Sequence, residues 1–266
     1  MQFDQSTRRQ FITLLGAAVA WPLVARGQQT AMPVIGLLSS QSPDSLREGA
    51  MAALLQGLRD TGFAEGRNVT IEYHWARGQY DQLPALAADL VRRKVSVIAA
   101  VAGSAPGLAA KAATSTIPIV FQTGSDPIRD RLVTSMNRPS GNVTGITRLG
   151  TTVEPKRLEL LRELVPRAPV ISFLVNPGNP AADHQLHEME EAAHSLGLQL
   201  ELLKASTKRE LDTAFAMLSQ REASALLIAT DPFLGSDPSI ELAVHYRMPP
   251  PLNLRERRTL PLPSNR

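Results

Sequence analysis

The stretch Val95–Pro127, VSVIAAVAGSAPGLAAKAATSTIPIVFQTGSDP, decides the fold. It opens with an apolar run, VSVIAAVAG (95–103), of the length and β-branched content of a buried strand. APGLAAKAATS (105–115) follows, a helix of small residues. IPIVFQT (117–123) is then a second strand. A strand, a helix and a strand within about thirty residues form a crossover unit, which makes the two strands parallel. Both strands run out into small polar loops, Gly103-Ser104-Ala105-Pro106 and Thr123-Gly124-Ser125-Asp126-Pro127.

The pattern continues outward on both sides. Upstream, VIGLLSS (34–40) is a strand, SLREGAMAALLQGLRDTGF (45–63) has helical periodicity with a stop at Gly62, NVTIEYHW (68–75) alternates as a strand, and YDQLPALAADLVRRK (80–94) is a helix with Pro84 in or near its first turn. Downstream, a short helix is expected from Pro127 and a strand over 142–147. A second unit starts near Thr151: helix 153–165, strand 170–176, helix 181–196, strand 198–205, helix 207–220 and strand 225–230. Alternating strands and helices predict parallel, doubly wound sheets. The fold class is therefore α/β, with two Rossmann-like lobes at 33–150 and 151–247. In such sheets ligands bind outside the carboxyl ends of the strands.

Those strand ends share a design. Ser39-Ser40-Gln41-Ser42-Pro43-Asp44, the two loops quoted above, Asn176-Pro177-Gly178-Asn179-Pro180 and Thr230-Asp231-Pro232 are all small or polar. Most place a proline near the start of the next helix, where its missing N–H costs nothing. Each Ser, Asp or Asn taken alone reads as an ordinary helix cap. Five such loops on one side of two sheets instead suggest a cleft for a small polar ligand, with free N–H groups at helix starts suited to a carboxylate.

Composition narrows the classes. The 266 residues suit one large or two modest domains with a real core. The sequence pI is near 9.5, yet the basicity sits at the two ends. Arg8, Arg9 and Arg26 face only Asp4 in the first 27 residues, and five Arg face Glu256 in the last 20. The remaining 20 basic and 23 acidic residues leave the body mildly acidic. With 5% aromatics and no basic stripe, nothing reads as a nucleic-acid surface. The absence of cysteine excludes disulfides, thiolate metal sites and a cysteine nucleophile. Neither G-x-S-x-G nor a nucleotide phosphate loop occurs, and no cofactor is expected. His184, His187, Glu191 and His194 share one helical face, which is either a metal stripe or a solvated face. Tyr73, Trp75 and Tyr80 cluster after the second strand, to stack on a ligand or to close the core edge.

The N-terminus reads as an address. Arg8 and Arg9 precede the uncharged apolar run Phe11–Ala25, and Ala25-Arg26-Gly27 offers small residues for cleavage before Gln28. Thr7-Arg8-Arg9-Gln10-Phe11-Ile12 resembles a twin-arginine export motif, without the lysine common at the position of Thr13. Residues 1–27 are thus expected to be a signal peptide, and the mature protein to be soluble in the periplasm.

Longer stretches carry a family resemblance: RRQFITLLG, MPVIGLLSS, QGLRDTGFAEGRNVTIEYHWARGQYDQLPALAADLV, KAATSTIPIVFQTGSDP, NRPSGNVTGIT, KRLELLRELVP, LVNPGNP and ALLIATDPF. The chain resembles the periplasmic ABC transporter substrate-binding proteins, the family that includes tryptophan- and tyrosine-type amino-acid receptors. The resemblance runs to about Arg247 and returns in Asn253–Glu256. It implies a type I periplasmic-binding fold whose lobes hinge around a cleft, no catalysis, a small-molecule solute, and an ABC permease as partner to a monomer. It places ligand contacts on Ser39, Ser40, Gln41, Gly103, Ser104, Thr123, Ser125, Asp126, Asn176, Asn179 and Asp231. Serine hydroxyls and helix starts would hold an anionic group, and Asp126 or Asp231 would meet a cation. A secreted α/β enzyme in the same crevice is the rival reading, but it lacks a visible nucleophile–base pair. A transcriptional sensor of the same fold is disfavoured by an export signal where a DNA-binding helix-turn-helix should sit. In the Pro/Arg-rich stretch 248–266 the family pattern stops, so the second lobe is expected to be incomplete through a frame change or premature stop.

Overall fold

The computed structural model describes residues 32–44, 50–139, 141–148, 153–166, 170–220 and 225–235. From Pro33 onward they belong to one compact unit. The expected signal peptide and the Pro/Arg-rich stretch lie outside the described residues.

Five strands form the first sheet: β1 (Val34–Ser39), β2 (Thr70–Trp75), β3 (Val97–Val101), β4 (Ile119–Thr123) and β5 (Val143–Thr147). Their order is β2-β1-β3-β4-β5, and every pair is parallel. Three helices connect them: α1 (Ala50–Asp60), α2 (Leu83–Arg92), which follows a single 3-10 turn at Tyr80–Gln82, and α3 (Ser104–Ala113). The apolar face of α2 and the small residues of α3 cover Leu38, Ile98, Ala100, Ile119, Phe121 and Val143. On the other face, Met51, Leu54, Leu55 and Leu58 of α1 pack over Leu37 and Ile71. The alternation read in the sequence thus follows from a sheet covered on both sides.

Two glycines are required by position. Gly62 lies at φ 88° just past α1, where the Gly62 and Phe63 amides donate to the Arg59 and Leu58 carbonyls and close the helix. Gly145 pairs with Phe121 across β5 and β4. A Cβ there would overlap the Phe121 carbonyl oxygen and sit 2.6 Å from Phe121 Cγ.

The second sheet is smaller: β6 (Val170–Val175), β7 (Gln199–Lys204) and β8 (Leu226–Ile228), in the parallel order β7-β6-β8. Its helices are α4 (Glu154–Leu164), α5 (Ala182–Ser195) and α6 (Lys208–Gln220). Ile171, Phe173 and Leu174 of the central strand meet Leu158, Met189, Leu211 and Phe215 in a core separate from that of the first sheet. At the start of α6, Thr207 Oγ1 accepts from the Glu210 amide at 3.3 Å and Glu210 reaches back to the Ser206 amide at 2.8 Å, a capping-box arrangement.

One expected element is absent. Residues 127–131 form turns and not a helix. Arg131 takes φ 61°, and the Leu132 and Val133 amides both return to the Pro127 carbonyl at 2.8 and 3.2 Å. A left-handed residue at that point reverses the chain before a helical turn can propagate.

Both sheets reverse direction at corresponding places. The connection from β1 goes outward to β2 and the chain then crosses to β3; in the second sheet the chain likewise goes outward from β6 to β7 and crosses to β8. The crevice of each sheet therefore opens at the carboxyl ends of β1 and β3, and of β6 and β8.

Candidate functional site

The loop after β8 is the centre of the polar contacts. Asp231 is 6% exposed, and its two carboxylate oxygens accept from four donor groups. Oδ1 takes the Leu234 amide at 2.8 Å; Oδ2 takes Asn179 Nδ2 at 2.7 Å and the Tyr80 hydroxyl at 2.9 Å; Asn176 Nδ2 lies 3.3 Å from both. Burial raises the Asp231 carboxyl above its ordinary range, and these donors pull it part of the way back. Burial, with Asp231 next to it, also lifts the Tyr80 hydroxyl well above its usual value. Asn176 and Asn179 use their other atoms locally. Each Oδ1 accepts the amide two residues on, Gly178 and Ala181, at 2.9 Å. Such Asx turns are why asparagine recurs in this loop.

A second network holds the same loop from behind. Glu154 Oε1, at the start of α4, accepts the Thr230 amide at 2.6 Å and Gln185 Nε2 at 3.0 Å. Gln185 Nε2 also donates to the Thr230 carbonyl at 3.0 Å, and Arg157 Nη2 donates to the Ile228 carbonyl at 2.8 Å. Burial raises the Glu154 carboxyl and lowers the Arg157 guanidinium, each partly offset by the other. Buried and paired in this way, both side chains serve to fix the β8 loop.

In the first lobe the polar residues gather after β3 and β4. Ser104 Oγ lies 2.9 Å from Thr123 Oγ1 and 2.7 Å from Ser125 Oγ. Thr123 and Ser125 hydroxyls are 2.9 Å apart, and the Ser125 amide donates to Thr123 Oγ1 at 3.2 Å. Ser104 and Ser125 both donate to Asp130 Oδ2. All four residues are buried. Asp126 sits beside this cluster and not in it: its Oδ1 accepts the Ile128 and Arg129 amides at 2.9 and 3.3 Å.

The two sets of loops touch. Gln41 Nε2 donates to the Pro232 carbonyl at 3.0 Å, next to the Tyr80–Asp231 bond. A Cβ on Gly103 would lie 3.0 Å from Pro232 Cγ, and one on Gly78 2.8 Å from the Phe233 ring. Gly103 adopts φ 103° after Ala102 at φ 65°, a kink that lets the Ser40 hydroxyl donate to the Ala102 carbonyl. Ser39 is fully buried and accepts the Gln41 amide at 3.1 Å. Arg129 and Glu188 of α5 form a further ion pair between the two lobes.

The structure thus brings Gln41, Gly103, Asn176, Asn179 and Asp231 to one seam, and Ser104, Thr123 and Ser125 to a pocket beside it. It leaves Ser39 and Ser40 as braces of the β1 loop. Two participants carry no local sequence signal as site residues: Asp130 and the Glu154–Arg157–Gln185 set. The aromatic cluster divides. Tyr73 and Trp75 stack at 6.0 Å on the sheet edge, where burial and Glu65 push the Tyr73 hydroxyl up to about 12. Tyr80 turns instead to Asp231. On α5, His187 and Glu191 pair at 3.4 Å on an exposed surface, and among the described residues no three His, Cys, Asp or Glu side chains converge on a point.

Comparison with known proteins gives one consistent result. A sequence model of the family described as ABC transporter substrate binding protein matches residues 24–249. The tyrosine-binding protein of Clostridioides difficile is 27% identical over 210 residues, which is 79% of this chain and 58% of that protein. The chain therefore spans less than two thirds of that relative's length. A conserved domain protein from Vibrio cholerae superposes with a TM-score of 0.70 at 23% identity, covering 82% of this chain and 73% of the other. An ABC domain from Streptococcus pneumoniae, solved in complex with L-Trp, gives 0.66 at 20% identity, covering 81% and 72%. At these identities the structures establish the fold, α/β lobes with parallel sheets of the type I periplasmic-binding kind and a smaller second sheet.

Proposed function

Because the chain belongs to the ABC transporter substrate binding protein family, we propose that it is an exported receptor that captures a small, amino-acid-like solute between its lobes and delivers it to a membrane permease. One observation carries this reading. The crevice ends of both sheets meet, and their loops touch through Gln41, Gly103 and Tyr80 on one side and Asp231 and Pro232 on the other. Contacts of this kind join two lobes that close on a ligand. An amino-acid-like solute is supported by the tyrosine-binding relative and by the L-Trp complex of a structural neighbour. No helix among the described residues is long and apolar enough to cross a membrane.

A thermal-shift screen of the full chain against amino acids, sugars and organic acids tests the proposal. Saturable stabilisation by one or more amino acids is expected. Stabilisation by sugars alone, or by none of the three classes, would refute the solute class.

A further inference from the structure

We propose that Asp130 is a built-in counter-anion: its carboxylate fills the hydroxyl cradle of Ser104, Thr123 and Ser125, so that this half of the site receives a donor group, an ammonium, and not a carboxylate. The inference rests on the solute-capture reading above and assigns the orientation of the solute within it.

The argument is a count of protons. A serine or threonine hydroxyl has one hydrogen to donate. Ser104 and Ser125 both give theirs to Asp130 Oδ2. Among the described residues Thr123 Oγ1 contacts only those two hydroxyls and the Ser125 amide, so its hydrogen goes to Ser104 or Ser125. All three hydroxyl donors are therefore consumed within the cluster, and none is left for an incoming anion. What the cluster does leave unmatched is an acceptor. Asp130 Oδ1 is buried without a hydrogen-bond partner among the described residues, on a residue only 6% exposed. A buried carboxylate oxygen left unmatched is costly, and a charged donor compensates it best.

The cradle lies at the carboxyl ends of β3 and β4, where the two sets of loops meet. Ser104 opens α3, and Thr123 and Ser125 end β4 and begin its loop, both on the crevice side of the sheet. The glycines beside them lie against the opposite lobe: a Cβ on Gly103 would be 3.0 Å from Pro232 and one on Gly124 3.7 Å from Thr230. Asp231 cannot take the same role, because both its oxygens are already occupied by protein donors.

Two measurements on the full chain test this. In the first, Asp130→Ala empties the cradle, and sodium acetate is added against sodium chloride of equal ionic strength. Acetate at ten times its dissociation constant should raise the melting temperature of Asp130→Ala by about 3–5 °C and leave the wild type unmoved. If the variant does not fold, acetate in the refolding buffer should restore it. Equal responses of both proteins, or no response to acetate in either melting or refolding, would overturn the inference whether or not any solute binds. In the second, calorimetry compares L-tyrosine, tyramine and 3-(4-hydroxyphenyl)propanoate. The wild type should prefer the amine to the acid by about tenfold, and Asp130→Asn should remove that preference. An acid preference in the wild type, or an amine preference that survives Asp130→Asn, would overturn it. Failure of all three probes would instead count against the solute class, with the acetate result still deciding the cradle.

Discussion

Replacing Asp231 by alanine should destabilise the whole seam, and the size of the effect can be worked from its contacts. Four donor groups converge on the carboxylate: the Leu234 amide, the Tyr80 hydroxyl and the side-chain amides of Asn176 and Asn179. Each buried donor left without an acceptor costs about 1–3 kcal/mol. Four of them at the low end come to about 4 kcal/mol. Alanine also removes a carboxylate whose burial is itself unfavourable, as its raised pKa records. The net loss should be about 2–4 kcal/mol, or about 5–12 °C in melting temperature for a chain of this size. Tyr80→Phe removes one donor while the carboxylate keeps the others, so about 1 kcal/mol is expected. The double variant should cost less than the sum, because its two members share one bond. Urea denaturation of the four proteins measures all of these quantities. A loss below about 1 kcal/mol for Asp231→Ala, or strict additivity with Tyr80→Phe, would refute the view that this carboxylate ties the lobes together.

The same residue sets a pH dependence. Its folded pKa is raised, so the folded state holds the proton to higher pH than the unfolded chain does; the associated stability is fully present below about pH 4 and is lost as pH rises through the raised value. Relative to Asp231→Asn, the wild type should therefore lose stability as the pH rises above about 4 in melting curves, and an opposite slope would reject the assignment. Gly145→Ala should abolish soluble expression or cost several kcal/mol, since the new methyl meets the Phe121 backbone, whereas Gly36→Ala meets side-chain tips, Leu90 at 2.7 Å and Val95 at 3.2 Å, and should cost less; circular dichroism melts rank the two. Asp126→Ala should lose about 1 kcal/mol as the Ile128 and Arg129 amides lose their acceptor.

The periodicity of the chain was enough to determine its architecture. Apolar runs such as 97–101 and 170–175, separated by helices with a single apolar face, permit little besides parallel sheets covered on both sides, because hydrophobic burial and backbone pairing act at short range. The small polar strand ends were legible for the same reason, and so was the family. The sequence left undecided what each polar group does. Nothing local distinguishes Asp126, which supports a turn, from Asp130 four residues later, which accepts two serine hydroxyls. Tyr80 and Asp231 are 151 positions apart, and Glu154 meets Thr230 across 76. The helix expected after Pro127 became turns because the chain reverses at Arg131. A hydrogen bond depends on the direction and distance of two atoms to a few tenths of an ångström, and between residues far apart in the chain only the packed fold supplies that geometry.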